Sequence, residues 1–84
     1  MQFKLVKKYK DLETSYFFLL RKKLFKWELV TKVTSLTSTE VARLFRDKET
    51  VKKYLTYSYR MNPEKISFKD VNKRGKEFLV VYEK

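Results

Sequence analysis

The apolar positions of this chain change their period twice. From residue 2 to 34 they recur every second residue, the spacing of the two faces of a strand. Gln2–Tyr9 sets Phe3 and Leu5 against Lys4, Val6 and Lys8, and so many lysines predict a strand near a sheet edge. Thr14–Leu20 carries Tyr16, Phe18 and Leu20 on one face and Phe17 and Leu19 on the other, which predicts a central strand covered on both sides. Arg21–Lys23 is expected to turn, and without a glycine the connection should exceed a tight two-residue loop. Phe25–Thr34 alternates most cleanly: Phe25, Trp27, Leu29, Thr31 and Val33 oppose Lys26, Glu28, Val30, Lys32 and Thr34. The first third of the chain thus reads as a three-stranded antiparallel meander.

From Leu36 to Arg60 the spacing becomes helical, with Val41, Leu44, Phe45, Val51, Leu55 and Tyr59 as the apolar stripe. Thr37 and Glu40 have capping-box spacing, and Leu36 and Val41 flank them as a hydrophobic staple. One straight helix would place Lys48 inside the stripe. The spacing therefore predicts an elbow near Arg46–Lys48, with Asp47 capping a second helix; one helix with a snorkelling Lys48 is the alternative. Asn62 and Pro63 end the segment, since proline excludes helical geometry from the residue before it. Alternation returns in Lys65–Val71 and Glu77–Glu83, around a turn Asn72–Lys73–Arg74–Gly75 holding the chain's only glycine.

The expected fold is α+β: one domain spanning residues 1–84, in the order β-β-β-α-α-β-β, with about five antiparallel strands and two helices on one face. Val41, Leu44 and Phe45 would pack on Phe18, Trp27 and Leu29. The other face would carry Lys4, Lys8, Lys26, Lys32 and Lys69 with Val6, Val30 and some tyrosines, either solvated or available to a partner.

Composition narrows the chemistry. The chain has 84 residues, with 21 Lys and Arg against 10 Asp and Glu, a net charge of +11 that favours a polyanionic partner. A lysine-rich proteome or a need for solubility accounts for such a charge as well. Cysteine and histidine are both absent, which removes thiolate chemistry, disulfides, histidine-based catalysis and the usual zinc sites. Asp47 and Glu49, two residues apart, are explained by capping and solvation, and one glycine cannot build a phosphate cradle. The expectation is a non-enzyme without metal or cofactor. No wholly apolar run is longer than that of Tyr16–Leu20, which is too short for a bilayer, so no membrane partner is expected and a cytoplasmic location suits the chain.

Two patterns point to nucleic acid. Glu40–Phe45, Glu49–Leu55 and Asn72–Lys76 together resemble the later part of winged helix-turn-helix DNA-binding domains. Arg46 and Asp47 stand where such domains have a glycine and an apolar residue. The resemblance implies that Ala42 lets two helices approach, that the second helix enters the major groove, and that the hairpin tip touches the backbone. Thr50, Lys52 and Lys53 would then face DNA, with Lys73, Arg74 and Lys76 as the wing. Separately, Tyr54, Tyr57 and Tyr59 crowd Lys52, Lys53 and Arg60, and Tyr9 adjoins Lys7, Lys8 and Lys10, a mixture able to stack bases and hold phosphates.

The expected function is a small non-enzymatic nucleic-acid-binding protein, DNA favoured over RNA. The alternative is a phage- or virus-encoded inhibitor or adaptor that blocks a host nucleic-acid-handling enzyme through its basic surface. A continuous basic stripe would favour nucleic acid; lysines scattered around an exposed apolar patch would favour a protein. A second copy could also pair through the edge of the first or last strand.

Overall fold

The computed structural model describes residues 2–34 and 38–83. The chain is α+β and largely antiparallel sheet, with one α-helix rather than two among the described residues. Strands β1 (Phe3–Tyr9), β2 (Ser15–Lys23) and β3 (Lys26–Leu29) form the expected meander. β7 (Ile66–Asp70) and β8 (Glu77–Tyr82) form the expected C-terminal hairpin. β8 docks on β1, giving the order β3-β2-β1-β8-β7. β1 is therefore central, not an edge, and its lysines project from the middle of the sheet.

Between β3 and the helix the chain departs from expectation. Phe25–Thr34 is not one strand. It breaks at Val30, whose side chain is buried while its amide donates to the Leu19 carbonyl at 2.8 Å. The chain then leaves the main sheet as β4 (Thr31–Val33), returns as β5 (Glu40–Ala42) and rejoins β2 as β6 (Leu44–Phe45). β3 and β6 thus lie end to end along one edge of β2. Residues 40–45, expected to belong to the first helix, instead form the two short strands β5 and β6 on either side of Arg43. Glu40–Phe45 fits helical spacing through Val41, Leu44 and Phe45, but Val41 and Phe45 also share one face of a strand and Ala42 and Leu44 the other, with Arg43 the polar exception. Six residues are too few to choose between the periods, and the vacant edge of β2 decides. Leu36 and Thr37 of the expected staple and capping box lie outside the described residues; Glu40 and Val41 are strand residues.

The surviving helix, α1 (Lys48–Tyr59), begins where Asp47 was expected to cap it. The Asp47 carboxylate accepts from the Thr50 amide at 2.8 Å and from its hydroxyl at 2.7 Å. Arg60 closes the helix in left-handed geometry, and Pro63–Lys65 makes one 3₁₀ turn before β7. Val51 and Leu55 are fully buried against one sheet face. The register puts Phe3 and Leu5 of β1, Phe17 and Leu19 of β2, and Phe78 of β8 on that face. Phe45 joins them and meets Tyr54 edge to face at 5.3 Å. The core is thus the odd-numbered face of β2. Phe18 and Trp27, expected inside, are half-buried on the opposite face, and Leu29 and Leu44 are exposed there. A one-residue change of register exchanges the two faces of a strand, and β2 is apolar on both, so its sequence could not say which faces the helix.

Candidate nucleic-acid interface

The helix covers one face of the sheet and leaves the other uncovered. Across the open face the register builds continuous rows. One row runs Leu29, Leu20, Lys4, Leu79, Lys69 from β3 to β7. The next runs Leu44, Phe18, Val6, Glu77. Flanking them are the pairs Trp27–Lys22 and Tyr16–Lys8. Of the cations expected here, Lys4, Lys8 and Lys69 are present with Val6. Lys26 points to the helix side, Lys32 belongs to β4, and Val30 is buried.

Lys4 stands inside this apolar face, while Lys8, Lys22 and Lys69 stand at its margins. Lys4 sits between Leu20 and Leu79, with its Nζ 4.8 Å from the Trp27 ring centroid and 3.2 Å from Glu77 Oε1. Lys22 Nζ lies 5.9 Å from the same ring. Tyr16 and Phe18 meet edge to face at 5.4 Å on β2. Leu29, Leu44, Leu79 and Val81 complete the exposed surface. An ammonium over an aromatic face is held by the ring quadrupole and still keeps donors for an anion.

The hairpin turns stand at the two ends of this face. At one end, the Lys7 amide donates to the Lys76 carbonyl at 2.7 Å, which aligns the β7–β8 turn with Lys8 and Tyr16. Asp70 Oδ2 accepts from the Gly75 amide at 2.8 Å; Lys73 (φ 56°) and Gly75 (φ 69°) take left-handed conformations. At the other end, β2 continues through Lys23 and turns on Leu24 and Phe25 alone, a shorter connection than expected. Leu24 adopts φ 57°, a conformation a glycine or asparagine takes at less cost. Leu24 is 85% and Phe25 99% exposed, between Lys22–Lys23 and Lys26.

The six residues singled out by the winged-domain resemblance divide into two groups. Lys73, Arg74 and Lys76 occupy the β7–β8 turn as expected, exposed and without an ion pair. Thr50, Lys52 and Lys53 lie on α1, over the covered face, and two of them are engaged. Thr50 holds the helix cap, and Lys52 Nζ is 3.8 Å from Glu49 Oε1. With residues 40–45 in strands, α1 has no helical partner at its N-terminus, so the described residues contain no helix-turn-helix. Among them, only Lys4, Arg46 and Lys52 lie within ion-pair distance of a carboxylate. Sequence reading missed the Lys22–Trp27 segment as a site. Its signal is the same mixture of rings and lysines found elsewhere in the chain, concealed because the alternation places Trp27 in the core.

A separate cleft of about 500 Å³ opens between the helix and the β4–β5 hairpin, lined by Arg21, Glu28, Glu40, Tyr54 and Tyr59 among others. Burial and the neighbouring Tyr59 push the Tyr54 phenol above its ordinary value, so it is protonated at neutral pH and is no base. The cleft mixes one guanidinium with two carboxylates and does not favour an anion. No group of acidic side chains among the described residues is placed to hold a metal, and no helix is long and apolar enough to cross a membrane. No family model, curated protein or solved structure matches this chain.

Proposed function

We propose that this protein is a non-enzymatic nucleic-acid-binding module that uses its uncovered sheet face. The observation that carries this reading is the interleaving of Lys4, Lys8 and Lys22 with Tyr16, Phe18 and Trp27. Protein interfaces deplete lysine from their cores, because each ammonium must be desolvated against a matched carboxylate. A nucleic acid supplies phosphates for the cations and apolar base faces for the rings. The net charge of +11 acts in the same direction at longer range. The preference for duplex DNA rested on a pair of helices, and with one helix that ground is lost. The β7–β8 turn keeps its proposed role: Lys73, Arg74 and Lys76 stand at the Tyr16 end of the face and extend it with phosphate contacts.

The exposed Leu29, Leu44, Leu79 and Val81 favour a second reading, an inhibitor or adaptor docking on a host protein. Fluorescence anisotropy with labelled oligonucleotides at several salt concentrations separates the two. The nucleic-acid reading expects affinity to fall steeply with salt, and Lys73→Ala with Arg74→Ala to reduce the log–log slope. The reduction is about 1.4 on a single strand or about 1.8 on a duplex. Binding to every sequence should weaken alike. An absence of DNA and RNA binding at low salt, with a protein complex surviving nuclease, would establish the second reading instead.

A further inference from the structure

The β2–β3 turn is built against ordinary turn chemistry. A two-residue hairpin loop favours Asn-Gly or Asp-Gly, because one or both residues must take positive φ. Here Leu24 takes φ 57° and Phe25 is 99% exposed, so the loop accepts backbone strain and an unburied aromatic ring together. Neither side chain contributes to the core. Lys22, Lys23 and Lys26 flank the pair, and none of them has a carboxylate within ion-pair distance. Two residues from Phe25 stands Trp27, with the ammonium groups of Lys4 and Lys22 over its ring.

We infer that this loop is a base-stacking tip, and that the ligand of the sheet face is single-stranded nucleic acid lying along β2. The inference rests on the nucleic-acid reading above and names the strandedness and the anchor. Aromatic positions follow β2 from Tyr16 and Phe18 to Trp27 beside Lys22, and end at Phe25. Strand rise makes that path roughly 20 Å long. Lys8 and Lys4 run parallel to it on β1, each directly opposite a β2 residue of the path, Tyr16 and Leu20. Rings beside the two ammonium groups of Lys8 and Lys4, the latter shared with Glu77 at 3.2 Å, match bases beside phosphates along one strand. A paired strand hides its base faces in the stack, so rings on a sheet gain most from unpaired bases. The length of the path also separates this ligand from a bilayer, which would engage the Leu24–Phe25 tip and leave Tyr16 and Phe18 unused.

Trp27 is the chain's only tryptophan, so its emission reports from within the path. The test titrates the protein and its Phe25→Ala variant with an oligothymidylate, an oligouridylate, a duplex of equal charge, and phosphatidylserine-containing vesicles. Phe25 is exposed, so the variant keeps the fold. Both single strands are expected to quench Trp27 and to bind more tightly than the duplex. Phe25→Ala should weaken single-strand binding by about fivefold or more without changing the salt slope, since one stacked base is lost and no cation. Oligonucleotide binding that leaves Trp27 emission unchanged and is indifferent to Phe25→Ala would overturn the inference while leaving nucleic-acid binding standing. So would tighter binding of the duplex. Failure of every oligonucleotide at low salt would remove the broader reading, and a Trp27 response confined to vesicles would reassign the tip to a membrane surface.

Discussion

Leu44 and Phe45 are neighbours in the chain and opposites in space. Strand β6 sends Phe45 into the core at 3% exposure and leaves Leu44 on the open face at 56%. The energetic consequence is specific. Leu44→Ala removes little buried area and should change stability by no more than about 0.5 kcal/mol, as surface substitutions do. Leu55→Ala deletes a fully buried side chain beneath α1 and should cost on the order of 2–5 kcal/mol, a large share of a small domain's stability. Urea denaturation of the two variants checks the assignment. A helix laid through residues 40–45 would reverse the expectation for Leu44, so a large loss there contradicts the strand. The same parity explains why Phe18 and Trp27 are available to a ligand: β2 buries Phe17 and Leu19, and the face left over keeps its rings.

At the scale of elements, α1 depends on its first turn. The Thr50 hydroxyl and then the Thr50 amide hold the Asp47 carboxyl below its ordinary value of 3.8, with a smaller contribution from Arg46. A lowered folded value means that the unfolded chain binds the proton more tightly. The cap's contribution is therefore complete above roughly pH 4 and is lost as pH falls through the lowered folded value. Asp11 follows the same direction, because the Glu13 and Thr14 amides donate to it. Asp47→Ala should unfold at lower denaturant than the parent at neutral pH, and the gap should close below roughly pH 4. A gap that persists undiminished into acid would show that the carboxylate is not what caps α1. This cap was legible in the sequence, because Asp47 precedes a run whose apolar residues, Val51 and Leu55, have one spacing only. The C-terminal hairpin was legible for a similar reason, with Gly75 marking its turn. Residues 25–45 were not. Val30 interrupts an alternation that looked continuous, Glu40–Phe45 fits two periods, and the turn at Leu24–Phe25 lacks turn residues. Each departure answers to β2, whose exposed edge recruits β3 and β6, and no local pattern reports a vacant edge. The alternation puts lysines and some tyrosines on the open face but Phe18 and Trp27 inside, so the presence of those two rings on the open face is what the pattern does not report.

Taken whole, the molecule has a covered face that holds its buried core and an uncovered face that carries the proposed recognition chemistry, with a hairpin turn at each end of the latter. Among the described residues most cations have no carboxylate within ion-pair distance, so an anionic ligand would relieve their mutual repulsion. Lys4 is the exception within the face, because Glu77 competes for its ammonium at 3.2 Å. A phosphate arriving there must displace that carboxylate or share the lysine with it, which ties affinity at the centre of the face to one side chain. The claim that this face, and not the helix, receives the ligand is tested most directly by mapping amide chemical shifts on ¹⁵N-labelled protein during titration with an unstructured oligonucleotide. The largest changes are expected at Lys4, Val6, Phe18, Lys22, Trp27 and Leu79, reaching both turns, with Lys52, Lys53 and Tyr57 of α1 little affected. Changes gathered on α1 while the sheet residues stay silent would contradict it.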